Sequence, residues 1–162
     1  MSQYRYTSVN HPESFDFHDS VFKLGRVGDT EIAVCVQALN ISKAAEQNPY
    51  ECDMEIQTAH IVFRGVSEFV YDPGRVWERD EEGNFAPVGP KILFRGKEAY
   101  SRFEDDLSEG AMIICHSIVE ADHFEIDGTG KGPYFFVSFK AEEVVIEWDD
   151  YRGPAWYEKR DR

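Results

Sequence analysis

The sequence predicts a mostly β, single-domain protein: an antiparallel β-sandwich or partly open barrel with one helix at about Lys97 to Ser108. Three observations predict it. Apolar residues recur at period two through most of the chain, as in Ile32, Val34 and Val36 or Met112, Ile114 and Ile118. These runs are separated by turn signals such as Gly28-Asp29-Thr30 and Asp72-Pro73-Gly74. Only one stretch places its apolar residues, Ala99, Tyr100, Phe103 and Leu107, at helical spacing. The 162 residues contain no repeat and no linker, so residues 1–162 read as one domain.

Taken in order, residues 1–14 are polar and read as a loose N-terminal arm, with a turn at Asn10-His11-Pro12. Phe17 to Val27 and Glu31 to Ile41 form a hairpin. In its second strand Ile32, Val34, Val36 and Ala38 share one face, and Ala33, Cys35 and Leu39 share the other. A connector over Ser42 to Tyr50 leads to a long strand from Cys52 to Tyr71. Its apolar phase switches from Met54 and Ile56 to Ala59, Ile61 and Phe63, so a bulge belongs near Thr58-Ala59, with a second bend at Gly65. Arg75 to Pro90 reads as an exposed excursion, followed by a short edge segment at Ile92-Leu93-Phe94. In the helix, Glu98 and Arg102 form an i,i+4 pair and Gly110 caps the C-terminus. Ala111 to Ile126 reads as one strand, with Met112, Ile114, His116 and Ile118 on one face and Ile113, Cys115, Ser117 and Val119 on the other. Asp127 to Gly132 is a glycine-rich hairpin loop, and strands follow at Tyr134 to Lys140 and Val144 to Trp148. Residues 149–162 form a tail that packs in part through Trp156 and Tyr157.

Composition narrows the function. Seventeen Lys and Arg stand against thirty-one Asp and Glu, for a net charge of −14. The excess is even, −7 in residues 1–81 and −7 in residues 82–162. Such a field repels nucleic-acid phosphates and anionic lipid and favours a basic protein partner or a cation. Three cysteines without a CxxC exclude a zinc ribbon and a complete disulfide set. With no apolar leader or membrane-length run, the expectation is a cytoplasmic protein with reduced thiols.

The catalytic candidates are weak. Five histidines, His11, His18, His60, His116 and His123, lack metal-ligand spacing, and no cofactor is implied. His18-Asp19-Ser20 invites an acid-base reading with Ser20 or Ser117, set against a turn fixed by side-chain to backbone hydrogen bonds. There is no GxSxG. Gly128-Thr129-Gly130-Lys131-Gly132 lacks P-loop spacing, and Asp80-Glu81-Glu82-Gly83-Asn84 lacks a calcium-loop pattern. The remaining candidates are aromatic anchors in acidic segments: Trp77 with Glu78, Asp80, Glu81 and Glu82, and Trp148 with Asp149, Asp150 and Tyr151. Both tryptophans equally suit plugs at the ends of a core.

Phe17-His18-Asp19-Ser20, the hairpin after it and Ile61-Val62-Phe63-Arg64-Gly65-Val66 resemble a loose group of small bacterial β-rich proteins. Some of these are similar to immunity proteins of polymorphic toxin systems. The resemblance spans about the first seventy residues, supplies no catalytic residue, and implies a non-enzymatic cytoplasmic protein. The expectation is a non-catalytic binding protein, immunity- or antitoxin-like, that meets a basic partner through Trp77, Glu78, Asp80, Glu81 and Glu82. The alternative is a small enzyme or ligand-binding β-barrel with a polar pocket around His18, Asp19, His60 and His116.

Overall fold

A computed structural model describes residues 3–120 and 122–158, with the backbone alone for residues 115, 116, 117 and 119. Among the described residues about half are strand and a tenth helical, in antiparallel sheets without barrel closure. The strands are β1 (Tyr6–Val9), β2 (Phe15–Asp16), β3 (Val21–Val27), β4 (Glu31–Gln37), β5 (Leu39–Ile41), β6 (Met54–Ile56), β7 (Ala59–Arg64) and β8 (Ser67–Asp72). They continue with β9 (Trp77–Arg79), β10 (Phe85–Pro87), β11 (Phe94–Arg95), β12 (Ala111–Glu120), β13 (His123–Thr129), β14 (Tyr134–Lys140), β15 (Glu143–Trp148) and β16 (Tyr151–Pro154). The helix α1 spans Gly96–Asp106.

Ten strands form one sheet in the order β1-β15-β7-β4-β3-β12-β13-β14-β8-β11. Its middle is thin: β3 and β12 share only the pairs Ala111↔Phe22 and Met112↔Val21. There the sheet doubles over. Phe63 of β7 meets Phe124 of β13 and Phe139 of β14 edge to face, with ring centroids 5.3 and 5.1 Å apart. The two halves therefore pack as a sandwich.

A second sheet, β16-β6-β5-β2, grows out of the first around a corner. The last register pair on one side is Val36↔Ala59, and the next, beyond the bend, is Leu39↔Ile56. Ala38 makes that bend with φ +58. β15 and β16 turn at the same level, where Trp148↔Ala59 gives way to Tyr151↔Ile56. Strands that change sheets at a bend must exchange faces, since side chains alternate. The apolar phase accordingly moves from Met54 and Ile56 to Ala59, Ile61 and Phe63, as the sequence pattern required. In the partner strand it moves from Ile32 and Val36 to Leu39 and Ile41, so Ala38 is a hinge and not a fourth member of the Ile32 face.

Trp148 fills the corner. It is fully buried, stacks on Tyr6 at 5.4 Å, takes the edge of Phe15 at 5.7 Å and meets Tyr151 at 6.2 Å. It is therefore a core plug and not an exposed anchor, while Asp149 accepts a hydrogen bond from the Arg5 amide at 2.8 Å. The described part of the N-terminal arm is not loose, because Tyr6–Val9 forms an edge strand on β15.

Other elements also differ from the sequence pattern. Phe17 to Ser20 is a turn, and the strand starts at Val21. The stretch from Cys52 to Tyr71 is three strands, separated by the corner and by Gly65 (φ +62). The chain reverses between Glu120 and His123, so Ala111 to Ile126 belongs to a hairpin. A register shift between Ile113 and Cys115 changes the face of β12, and the strict alternation expected there does not hold. On α1, Arg102 pairs with Asp106, its Nε 3.1 Å from Oδ2, instead of with Glu98. The helix buries Ala99 and Phe103, with Leu107 at its cap, against Phe69 and Tyr71. No helix among the described residues is long and apolar enough to cross a membrane.

Replacing Trp148 by Ala removes the filling of the corner from both sheets. Denaturant unfolding should show a loss of about 3–5 kcal/mol, with Trp148→Phe keeping most of that stability.

Candidate binding surface

β9 and β10 form a hairpin that pairs with neither sheet. Its base is fixed by Asp72-Pro73-Gly74, where the Gly74 amide donates to Asp72 Oδ1 at 2.9 Å. Gly74 has φ +77, and a Cβ there would lie 1.8 Å from the Tyr134 carbonyl oxygen. Only glycine lets the chain leave β8 so close to β14. The tip is organised by Asp80. Its Oδ1 accepts the amides of Glu82 at 3.0 Å and Asn84 at 2.8 Å, and Gly83 takes φ +87.

The register Phe85↔Arg79 and Pro87↔Trp77 places these four residues on one face, with Glu78 and Ala86 on the other. Trp77 is 57 % exposed and Phe85 63 %. The Arg79 guanidinium lies over the Phe85 ring at 5.1 Å. Glu78, Asp80, Glu81 and Glu82 are all exposed. Asp80 thus builds the tip, whereas Glu81 and Glu82 at the tip and Glu78 on the opposite face extend into water.

Beneath the hairpin, between its base, the end of α1 and the Gly130-Lys131-Gly132 loop, lies a cleft of about 560 Å³. Tyr71 Oη donates to Asp106 Oδ2 at 3.1 Å within it, and the same oxygen accepts Arg102 Nε. Burial first, and then the Asp106 carboxylate, push the Tyr71 hydroxyl well above the usual tyrosine range. Val76, Val88 and Ile92 give the cleft apolar walls. The sequence reading missed this site because its walls come from distant segments. The Arg102-to-Asp106 helical spacing was its only local signal.

The histidine candidates do not form one site. His18 Nδ1 is 3.3 Å from Asp19 Oδ2, with both side chains 54 % exposed. The turn beneath them is held by Asp16 Oδ1 accepting the His18 amide at 2.9 Å and by the Ser20 hydroxyl donating to the Phe17 carbonyl at 2.6 Å. His60 sits on another element, its ring 5.0 Å from that of Tyr4 and its register partners Cys35 and Glu147. The side chains of His116 and Ser117 lie outside the described residues. His11 contacts Glu13 at 3.0 Å, and His123 Nε2 is 2.8 Å from the Ser138 hydroxyl. Among the described residues no three His, Cys, Asp or Glu side chains are grouped to hold a metal ion. Cys35 and Cys52 are free and half-buried.

No family model, no characterised protein and no solved structure matches the chain.

The tyrosines give the protein an alkaline limit. Burial also raises Tyr100, Tyr151 (to about 12) and Tyr157, the last with help from Asp53. Above pH 10.0, the ordinary tyrosine value, the unfolded chain loses phenol protons that the folded chain keeps, so stability falls as pH rises toward the folded values. Stability measured from pH 9 to 12 should show this slope, and Tyr71→Phe should make it shallower.

Proposed function

We propose that this protein is a non-catalytic binding domain that docks a basic protein partner through the β9–β10 hairpin, in the manner of an immunity or antitoxin-like protein. One observation carries the reading: the hairpin exposes Trp77 and Phe85 on one face, where Arg79 lies over Phe85, and carries Glu78 on the other face and Glu81 and Glu82 at its tip. An isolated two-stranded hairpin has little stability of its own, and exposed aromatics add none. Their placement there is useful only when another surface covers them. Exposed aromatic anchors on a segment with four acidic residues and one arginine have the composition of a steered protein interface. The net charge of −14 extends the same attraction over the whole molecule. The alternative reading, a pocket around His18, Asp19, His60 and His116, draws no support from the placement of the described side chains.

The test uses the double variant Trp77→Ser/Phe85→Ser. Both positions are exposed, so its stability should stay within about 0.5 kcal/mol per site of the parent. Immobilised parent protein should retain a basic protein from a native lysate at about 50 mM salt and release it at about 500 mM. The double variant should retain none. Equal retention by parent and variant would contradict the reading.

A further inference from the structure

We propose that the cleft beneath the hairpin binds a monocarboxylate with an apolar body. This site is distinct from the aromatic face of the hairpin and does not depend on that face docking a protein.

The first support is a local inversion of charge. The chain carries nearly two acidic residues for each basic one, yet the cleft is lined by Arg75, Arg102 and Lys131 against one carboxylate, Asp106. That carboxylate is already engaged by Tyr71 Oη and Arg102 Nε. Arg102 lies with its guanidinium carbon 5.8 Å from the Phe94 ring centroid, and its Nε bond to Asp106 fixes the plane of the fork. The terminal Nη groups have no hydrogen-bond partner among the described residues, a geometry suited to a planar carboxylate. Arg75 Nη1 reaches across the neck of the hairpin to the Gly89 carbonyl at 3.4 Å, and Lys131 Nζ is 3.7 Å from the exposed Glu109. Both bonds are long enough to be exchanged for a ligand oxygen.

The second support is the shape and the apolar surface. Val76, Val88 and Ile92, each about half exposed, face a space of about 560 Å³, within the usual range for a small-molecule site. The floor is closely packed: a Cβ at Gly130 would lie 2.6 Å from Leu107 Cδ2, so a larger residue there would displace the buried Leu107 side chain beneath the Lys131 loop. The apolar walls select the ligand class: a carboxylate on an apolar body uses both the cationic and the apolar lining, whereas inorganic phosphate uses the cationic lining alone. The free acid and the apolar C-terminus of a peptide share this chemistry.

Decanoate and decanol, titrated into the full chain and followed by amide chemical shifts, test the site. Decanoate should saturate at millimolar concentration or below, with shifts at Gly89, Arg102 and Gly130, and should bind at least about ten-fold tighter than decanol. Arg75→Gln and Lys131→Gln, both at surface positions, should each weaken decanoate by about two- to five-fold and leave decanol unchanged. A Leu-rich tetrapeptide with a free C-terminus, compared with its amide, separates the two sources. Binding of the free-terminus peptide as well as decanoate supports a chain terminus, and binding of decanoate alone supports a free acid. Equal affinity for decanoate and decanol, no saturation by about 5 mM, or shifts confined to core residues such as Val34 and Ile126 would overturn the proposal.

Discussion

The packing of Trp148 into the corner between the two sheets is the contact on which the rest of the structure depends. Three adjacent strand pairs, β4/β5, β7/β6 and β15/β16, bend at one level, and a bend in a sheet opens a wedge on its concave side. An indole is the largest side chain available to fill such a wedge, and Tyr6, Phe15 and Tyr151 close around it. With the corner filled, the N-terminal strand, the C-terminal strand and both sheets share one core. The doubled sheet then needs only α1 to cover its far edge, which Phe103 and Ala99 do against Phe69 and Tyr71.

That economy explains where binding surface is left. The core is complete without β9 and β10, so the hairpin is free of packing duty, and its aromatic residues face water. The cleft arises from the same arrangement. The hairpin base leaves the sheet at Gly74, the Lys131 loop rests on the helix end through Gly130, and the space between them is closed by neither. Scaffold and surface therefore divide along the chain, and changes at Trp77 or Phe85 leave the corner untouched.

The parts legible in the sequence were those with an unambiguous period. The phase change between Ile56 and Ala59 could be read because large apolar residues stand on both sides of it. Its counterpart at Ala38 could not, because alanine fits either face and its positive φ leaves no mark on composition. β12 hid its first register shift because Met112, Ile113 and Ile114 are apolar in succession, so a shift there changes no pattern. Trp77 and Trp148 stand in equally acidic settings, and the sequence left both open between exposed anchor and core plug, since the burial of Trp148 depends on Tyr6 and Phe15 more than a hundred residues away. The cleft was invisible for the same reason: Arg75, Arg102 and Lys131 meet only after the sheet has folded over.

The central claim is that a core locked at Trp148 carries a hairpin that is energetically separate from it. Native-state hydrogen exchange tests this directly. The amides of Val36, Ile61 and Ile146 should exchange only through global unfolding, while the ladder amides of β9 and β10 should exchange through a local opening several kcal/mol lower. Equal protection in the hairpin and at the corner would mean that the hairpin is part of the core, and the division between scaffold and binding surface would not stand.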